Sequence, residues 1–176
     1  KTLKQTYIAT PLHLKTSVLY SFIKTHLKSK TIAFLSTRSQ IKYFTSLFSS
    51  FQPGLPILSL HGKMSQQKRT STYFTFARKT GGALLFTTDI ASRGLDFPSV
   101  DWVLQLDAPE DVEMYVHRVG RTARNGEKGT ALLFLTPQEE TPFVKSLASD
   151  GINGVKRLSV NPSKAVDVQK KTASVV

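Results

Sequence analysis

Apolar positions along the chain switch repeatedly between two spacings. Compact apolar runs at 5–9, 31–35, 57–60, 83–87, 102–106 and 129–135 have the length and side-chain content of strands. Between them, apolar residues return every three or four positions. Leu14, Val18, Phe22, Ile23 and Leu27 predict a helix that starts just past Pro11, and Ile41, Phe44, Phe48 and Phe51 a second that Pro53-Gly54 stops. Ser65 is placed to cap a third, running to about Ala77 and ended by Gly81-Gly82, and 138–148 gives another. Val112, Tyr115, Val116 and Val119 form a clean helical stripe whose spacing extends the helix to Arg124. Strands alternating with helices predict an α/β fold, a parallel sheet covered by helices on both faces. Ligands of such sheets bind beyond the carboxyl ends of the strands. That edge receives the loops Ser36-Thr37-Arg38, His61-Gly62, Thr87-Thr88-Asp89 and Asp107-Ala108-Pro109. After Asn161 the chain turns polar, so one domain is expected over 1–160 and a tail or linker over 161–176.

Composition narrows the chemistry. At 176 residues the chain can bury a single core without staples. Cysteine is absent, which excludes disulfides, thiol catalysis and thiolate metal sites, and His13, His26, His61 and His117 show no metal-ligand spacing. No metal site and no membrane span are expected. The opening Lys1-Thr2-Leu3-Lys4-Gln5 has no apolar signal region and reads as part of something longer. Net charge is +12, and its distribution is lopsided: residues 1–88 hold thirteen basic side chains, and the first acidic residue is Asp89. A half-domain without carboxylates favours polyanion partners, although a basic surface serving solubility has the same composition.

Three segments carry candidate chemistry. In 115–124, a continuous helix would bury Tyr115, Val116 and Val119 and set His117, Arg118, Arg121 and Arg124 on the opposite ridge, where planar guanidinium forks suit phosphate oxygens. Gly120 within that helix would cost about 1 kcal/mol relative to Ala, implying a close approach there. Spacing leaves a solvated basic face equally open. In 87–96, Thr88, Asp89, Arg93, Gly94 and Asp96 follow an apolar strand; hydroxyls there suit a phosphodiester and Asp96 a ribose, while an Arg93–Asp96 structural pair is the plainer alternative. In 61–69, Gly62, Gln66 and Arg69 stand at a helix start suited to phosphates, with a solvated amphipathic helix as the alternative. The chain has no Gly-x-x-x-x-Gly-Lys-Ser/Thr phosphate loop and no acidic strand-end motif for Mg²⁺.

In these segments the sequence resembles the second, C-terminal RecA-like domain of DEAD-box ATP-dependent RNA helicases. Thr31-Ile32-Ala33-Phe34-Leu35-Ser36-Thr37-Arg38 is similar to motif IV, His61-Gly62 with Gln66 and Arg69 to motif IVa, 88–96 to motif V and 117–124 to motif VI. The resemblance implies arginine fingers at Arg121 and Arg124, directed at ATP whose Mg²⁺ and phosphates are held mainly by a separate N-terminal RecA-like domain. It implies a ribose contact at Asp96, loop shaping by Gly94, and interdomain contacts from Arg93, His117 and Arg118. Single-stranded RNA phosphates would meet Thr37, Arg38, Arg69 and Thr88, supported by Gly62, Gln66 and Asp89. Two positions depart from the pattern: Ala123 replaces the more frequent Gly, a methyl group expected to be tolerated on a helix, and Ser36 replaces Asn. The stretches 96–102 and 136–140 resemble a nucleolar branch engaged in small ribosomal subunit assembly, implying rRNA processing, pre-ribosomal partners and a nuclear, nucleolar location. A non-catalytic RNA-binding scaffold of the same fold, or a DNA-directed superfamily 2 translocase, stays open beside the helicase. This chain by itself is expected to be inactive towards ATP.

Overall fold

The chain runs β1 (Leu3–Ala9), α1 (Lys15–Thr25), β2 (Lys30–Phe34), α2 (Arg38–Ser50), β3 (Ile57–Leu60), α3 (Gln66–Arg78), β4 (Ala83–Thr87), a short α4 (Asp89–Ser92), β5 (Trp102–Gln105), α5 (Val112–Val119), β6 (Gly129–Leu135), α6 (Pro137–Ser149) and β7 (Lys156–Arg157) in the computed structural model, which describes residues 2–159. The tail expected over 161–176 lies outside the described residues. All strand pairings are parallel, in the order β3-β4-β2-β5-β6-β1-β7. At the centre, β4 is buried throughout and β2 from Thr31 onward, so both faces of each strand must be apolar. Alternate residues divide between the faces. Ala33, Leu35, Phe86 and Leu104 pack with α1 and α2 through Leu19, Ile23, Phe44 and Phe48. Ile32, Phe34, Leu85 and Val103 pack on the other face with Phe76 of α3 and Ala91 of α4. Further along that face, Tyr7, Leu133 and Leu135 meet Tyr115 and Val119 of α5 and Leu147 of α6. Fully burying each of these large side chains contributes about 1.5–3 kcal/mol. The result is a stiff platform from which the strand-end loops project.

The elements expected from apolar spacing are present within a few residues of their expected limits, with one consequential exception. The helix expected to extend to Arg124, α5, does not reach it. It ends at Val119, with Gly120 as its C-cap at φ −64°, a backbone shape open to any residue. Tighter three-residue turns follow, Arg121 N–H donating to Arg118 O and Thr122 N–H to Val119 O. The cause lies outside the helix. Thr122 is drawn to Val100, its hydroxyl donating to Val100 O, and Gly129 backs so closely against the turn that a Cβ there would stand 1.9 Å from Thr122 Oγ1 and 2.6 Å from Ala123 N. The close approach expected at Gly120 therefore occurs at Gly129. The expected ridge of four cations is also corrected: Arg118 is buried and Val116 is exposed. Ala123 is not helical but sits in the left-handed region at φ 54°, followed by Asn125 at φ 54° and Gly126 at φ 82°. The methyl group of Ala123 is thus set where glycine is favoured.

Candidate functional site

Capping chemistry fixes the loops at the carboxyl edge. Thr37 closes the start of α2, accepting from Gln40 N–H at 3.2 Å while Gln40 Oε1 accepts from the Thr37 N–H at 3.0 Å. Ser65 accepts from Lys68 N–H to start α3, and Thr88 accepts from Ala91 N–H to start α4. The four loops expected on one edge do converge. Ser36, Arg38, Gly62, Lys63, Thr88, Asp89, Ile90, Arg93, Ala108 and Glu110, with Met114 and Arg118 of α5, line a cleft of about 480 Å³. Exposed Lys63 and Arg93, with half-buried Arg38, outnumber the exposed Glu110 and make its wall net cationic.

Asp89 does not add its charge to that cleft as a free carboxylate. Its two oxygens accept from Arg118 Nε at 2.7 Å and Nη2 at 2.8 Å, a bidentate pair with Arg118 at 3% exposure. Arg118 also donates to Asp107 O at 2.9 Å, and its guanidinium lies 5.4 Å from the centre of the Phe34 ring. Arg118 is therefore a buried brace between the loop after β4 and α5, not a surface cation. Arg69 is likewise turned inward: its Nη2 donates to Ala91 O at 2.9 Å, while Gln66, one turn earlier, is exposed. The expectation that the two reach the same side as ligands does not hold for their side chains. Thr37 lies on a neighbouring cleft, beside the one that Arg38 lines.

Beyond Gly120 the two remaining arginines are held by carbonyls. Arg121 Nη1 donates to Leu95 O at 2.9 Å, and Arg124 Nη1 donates to Phe97 O at 2.7 Å and pairs with Asp96 Oδ1 at 3.1 Å. The partner of Asp96 is thus Arg124, not Arg93. The Arg121 guanidinium also packs 5.8 Å from the Phe97 ring centre. Gly94, at φ +75°, gives the loop a turn that a side chain would strain. Burial and the charge of Arg124 push Arg121 below the usual guanidinium value, while Asp96 acts in the opposite direction. Two guanidiniums this close gain from a shared anion. The Asp96 carboxylate is 89% exposed and stays available to hydroxyl donors. The donor set therefore fits a nucleotide's phosphates and ribose. Among the described residues no three His, Cys, Asp or Glu side chains gather as a group that could hold a metal ion. Arg93 and His117 are exposed and border a small hollow with Arg121.

Several members of this assembly carry no local sequence signal. Tyr73 of α3 donates to Asp96 O at 2.6 Å, and its ring meets Phe97 edge-on at 5.2 Å. Ser99 accepts from the Arg124 N–H, and Val100 N–H donates to Arg121 O. Gln105, buried beside Arg118, reads in sequence as an ordinary strand residue.

Residues 14–126 match the family described as the helicase conserved C-terminal domain. Over 173 residues the chain is 50% identical to the probable ATP-dependent RNA helicase DDX10 of Mus musculus, covering 98% of this chain and 20% of that protein. The chain thus spans about a fifth of the length of the curated relatives it matches. The C-terminal domain of the DEAD-box protein Dbp5 superposes with a TM-score of 0.80 at 26% identity, covering 99% of this chain and 98% of that one. Domain 2 of the DEAD-box helicase Mss116p, solved bound to an RNA duplex, superposes with a TM-score of 0.79 at 28% identity, covering 98% of this chain and 73% of that one.

Proposed function

The chain belongs to the helicase conserved C-terminal domain family, as a second RecA-like domain of the DEAD-box type, and on that footing we propose that it serves as one lobe of an ATP-dependent RNA helicase. Arg121 and Arg124 are its arginine fingers, Asp96 its ribose contact, and Gly94 the turn that presents that contact. ATP supplies a transferable γ-phosphoryl group, and its Mg²⁺ belongs to the partner lobe, an N-terminal RecA-like domain of the same protein. Arg93 and His117, exposed beside Arg121, meet that lobe when the two close. Single-stranded RNA runs over the cationic cleft, its phosphates reaching Arg38 and the capped helix starts at Thr37 and Thr88, with Gly62 and Gln66 beside them. Arg118, Asp89 and Arg69 act one step back, as positioning residues that hold the loop after β4.

One observation carries this reading. The segment 118–124 and the loop 88–97 are joined by the Asp89–Arg118 pair, the Arg121–Leu95 bond and the two Arg124 contacts. Thr88, which would touch RNA, and the residues that would touch nucleotide are therefore tied into one hydrogen-bonded unit. A strand pressing on Thr88 shifts the base on which both fingers rest. Such a connection has little purpose in a plain RNA-binding scaffold. The nucleolar resemblance of 96–102 and 136–140, together with relatives named as RNA helicases, supports pre-ribosomal RNA and its proteins as the setting, in the nucleolus.

The test uses the full-length protein. Arg121→Ala and Arg124→Ala should each lower RNA-stimulated ATP turnover by about 10³-fold or more, with single-stranded RNA affinity nearly intact. Unchanged turnover in steady-state assays would remove the finger assignment.

A further inference from the structure

The loop that would meet the nucleotide is held from two elements. Three successive carbonyls, of Leu95, Asp96 and Phe97, each accept a hydrogen bond from a side chain. The outer two are held from the segment after α5: Leu95 O accepts from Arg121 Nη1 at 2.9 Å and Phe97 O from Arg124 Nη1 at 2.7 Å. The middle one is held from α3, where the Tyr73 hydroxyl donates to Asp96 O at 2.6 Å. The Tyr73 ring also meets Phe97 edge-on at 5.2 Å, and the same Phe97 ring lies 6.1 Å from Phe76 of α3 and 5.8 Å from the Arg121 guanidinium. Packing explains the ring of Tyr73. Neither the arginine fingers nor the ribose contact explains its hydroxyl.

The place of that bond gives it reach. Asp96 presents a carboxylate that is 89% exposed, and its own carbonyl is the one Tyr73 holds. Without the hydroxyl, the peptide after Asp96 is freer to rotate. Rotation there redirects the Asp96 side chain and the carbonyls on either side, together with the guanidiniums that rest on them. Displacement of about 1 Å near a reacting centre costs about 10²-fold in rate. The helix that carries Tyr73 starts three residues beyond Lys63 of the cationic cleft. Arg69 and Tyr73, four apart, lie on one face of α3. Arg69 holds the chain after β4 at Ala91 O, and Tyr73 holds it at Asp96 O.

We propose that Tyr73 is a positioning residue of the nucleotide site, whose hydroxyl fixes the Asp96 peptide and thereby aims the Asp96 carboxylate and both arginine fingers. The proposal rests on the finger and ribose assignments above and adds to them a residue from α3, the helix that begins at the RNA side.

The test uses the full-length protein and Tyr73→Phe, which keeps the ring against Phe97 and removes only the hydroxyl. With oligo-U present, kcat for ATP should fall about tenfold, the scale of one lost hydrogen bond. Oligo-U affinity and the urea midpoint should stay near wild type, because the freed carbonyl is at the surface and water replaces the hydroxyl. The second readout is 2′,3′-dideoxy-ATP, which lacks the hydroxyls that Asp96 would accept from. Wild-type protein should favour ATP over it in kcat/KM, and Tyr73→Phe should narrow that preference, which a merely structural tyrosine would not do. Tyr43→Phe, which removes an exposed hydroxyl from α2, is the control and should match wild type throughout. Wild-type kcat and wild-type preference for ATP in Tyr73→Phe overturn the positioning role while leaving Arg121 and Arg124 as fingers. A fall in turnover accounted for by unfolded protein overturns it too. Full turnover in Arg121→Ala and Arg124→Ala overturns the finger reading, and the role of Tyr73 with it.

Discussion

The residues before Asp89 and those from Asp89 onward use their positive charge in opposite ways. Among the described residues, three of the five arginines after Asp89 find carboxylates: Arg118 with Asp89, Arg124 with Asp96, Arg157 with Glu140. Before Asp89 there is no carboxylate to find. Cations there reach Asp107, as Lys15 does, or settle on uncharged groups. Arg69 takes the Ala91 carbonyl, and Lys30 takes the Ala77 carbonyl with its ammonium 5.3 Å from the Phe76 ring centre. The later half spends internal charge on geometry, holding side chains where a nucleotide would need them. The earlier half keeps its charge outward, where a polyanion can use it. An even spread of acids would neutralise the outward positive field, and their complete absence would leave the arginine segment unbraced.

The sharpest break in this contrast is at the brace itself. Arg118→Ala leaves Asp89 without its partner beside a buried space, and a broken buried pair costs about 3–5 kcal/mol. Arg124→Ala removes a pair whose carboxylate is 89% exposed, where such pairs contribute about 1 kcal/mol or less. Urea unfolding followed through Trp102, the chain's single tryptophan, should therefore separate the two variants widely. Equal midpoints would mean that Arg118 braces nothing.

Next in size is the outward charge. Lys63→Ala and Arg38→Ala remove cations that the cleft presents, so each should reduce the slope of log affinity against log salt by about 0.7 for single-stranded RNA. Substituting Arg157, an exposed cation already paired with Glu140, should leave the slope alone. Titrations of oligo-U at several salt concentrations decide this, and equal slopes for all three variants would erase the contrast between the halves.

How far the sequence could be read follows the range of the forces involved. The strands at 57–60, 83–87 and 129–135 were legible to the residue: the second is buried at every position and the third at all but Thr130, while 57–60, buried only at Leu60, is a short apolar run bounded by Pro56 and the His61-Gly62 turn. The convergence of four loops was legible because topology alone decides it. The inward turn of Arg118 was not, since its cause is a carboxylate 29 residues earlier. Neither was the early end of α5, imposed by Gly129 and Val100 from other strands and loops. The two-residue β7 is exposed at both positions and has no pattern to read. The departure at Ala123 was visible in the sequence, but its meaning depended on a φ of 54° that helical spacing had concealed. Ala123→Gly should relieve the left-handed strain of about 1 kcal/mol, offset in part by glycine's greater freedom when unfolded. A gain of roughly 0.5 kcal/mol in urea unfolding is expected; a loss would show that the alanine methyl group makes a contact worth more than its strain.

The smallest effect concerns His61, where the contrast between the halves reaches a titrating group. Burial, then the charges of Arg38 and Lys42 on α2 and of Lys68 on α3, lower the imidazole from its ordinary value of 6.5. No acidic residue on its side of Asp89 offsets them, and its buried Nδ1 has no partner. The folded form thus favours neutral His61, so this contribution to stability is present above pH 6.5 and is lost as the pH falls below it. Phosphates laid across Arg38, Lys42 and Lys68 reverse the sign: they screen those charges, raise the imidazole and make binding take up a proton. RNA affinity should then strengthen as pH falls from about 7 to 5.5, by less than tenfold per pH unit because a single proton is linked. His61→Gln should flatten that dependence while keeping the affinity at pH 7.5. Ring chemical shifts followed through a pH titration, with and without oligo-U, give the same quantity directly. An imidazole that titrates identically in both would mean that the bound strand does not cross the cations of the first half, and the division of labour between the halves would fall with it.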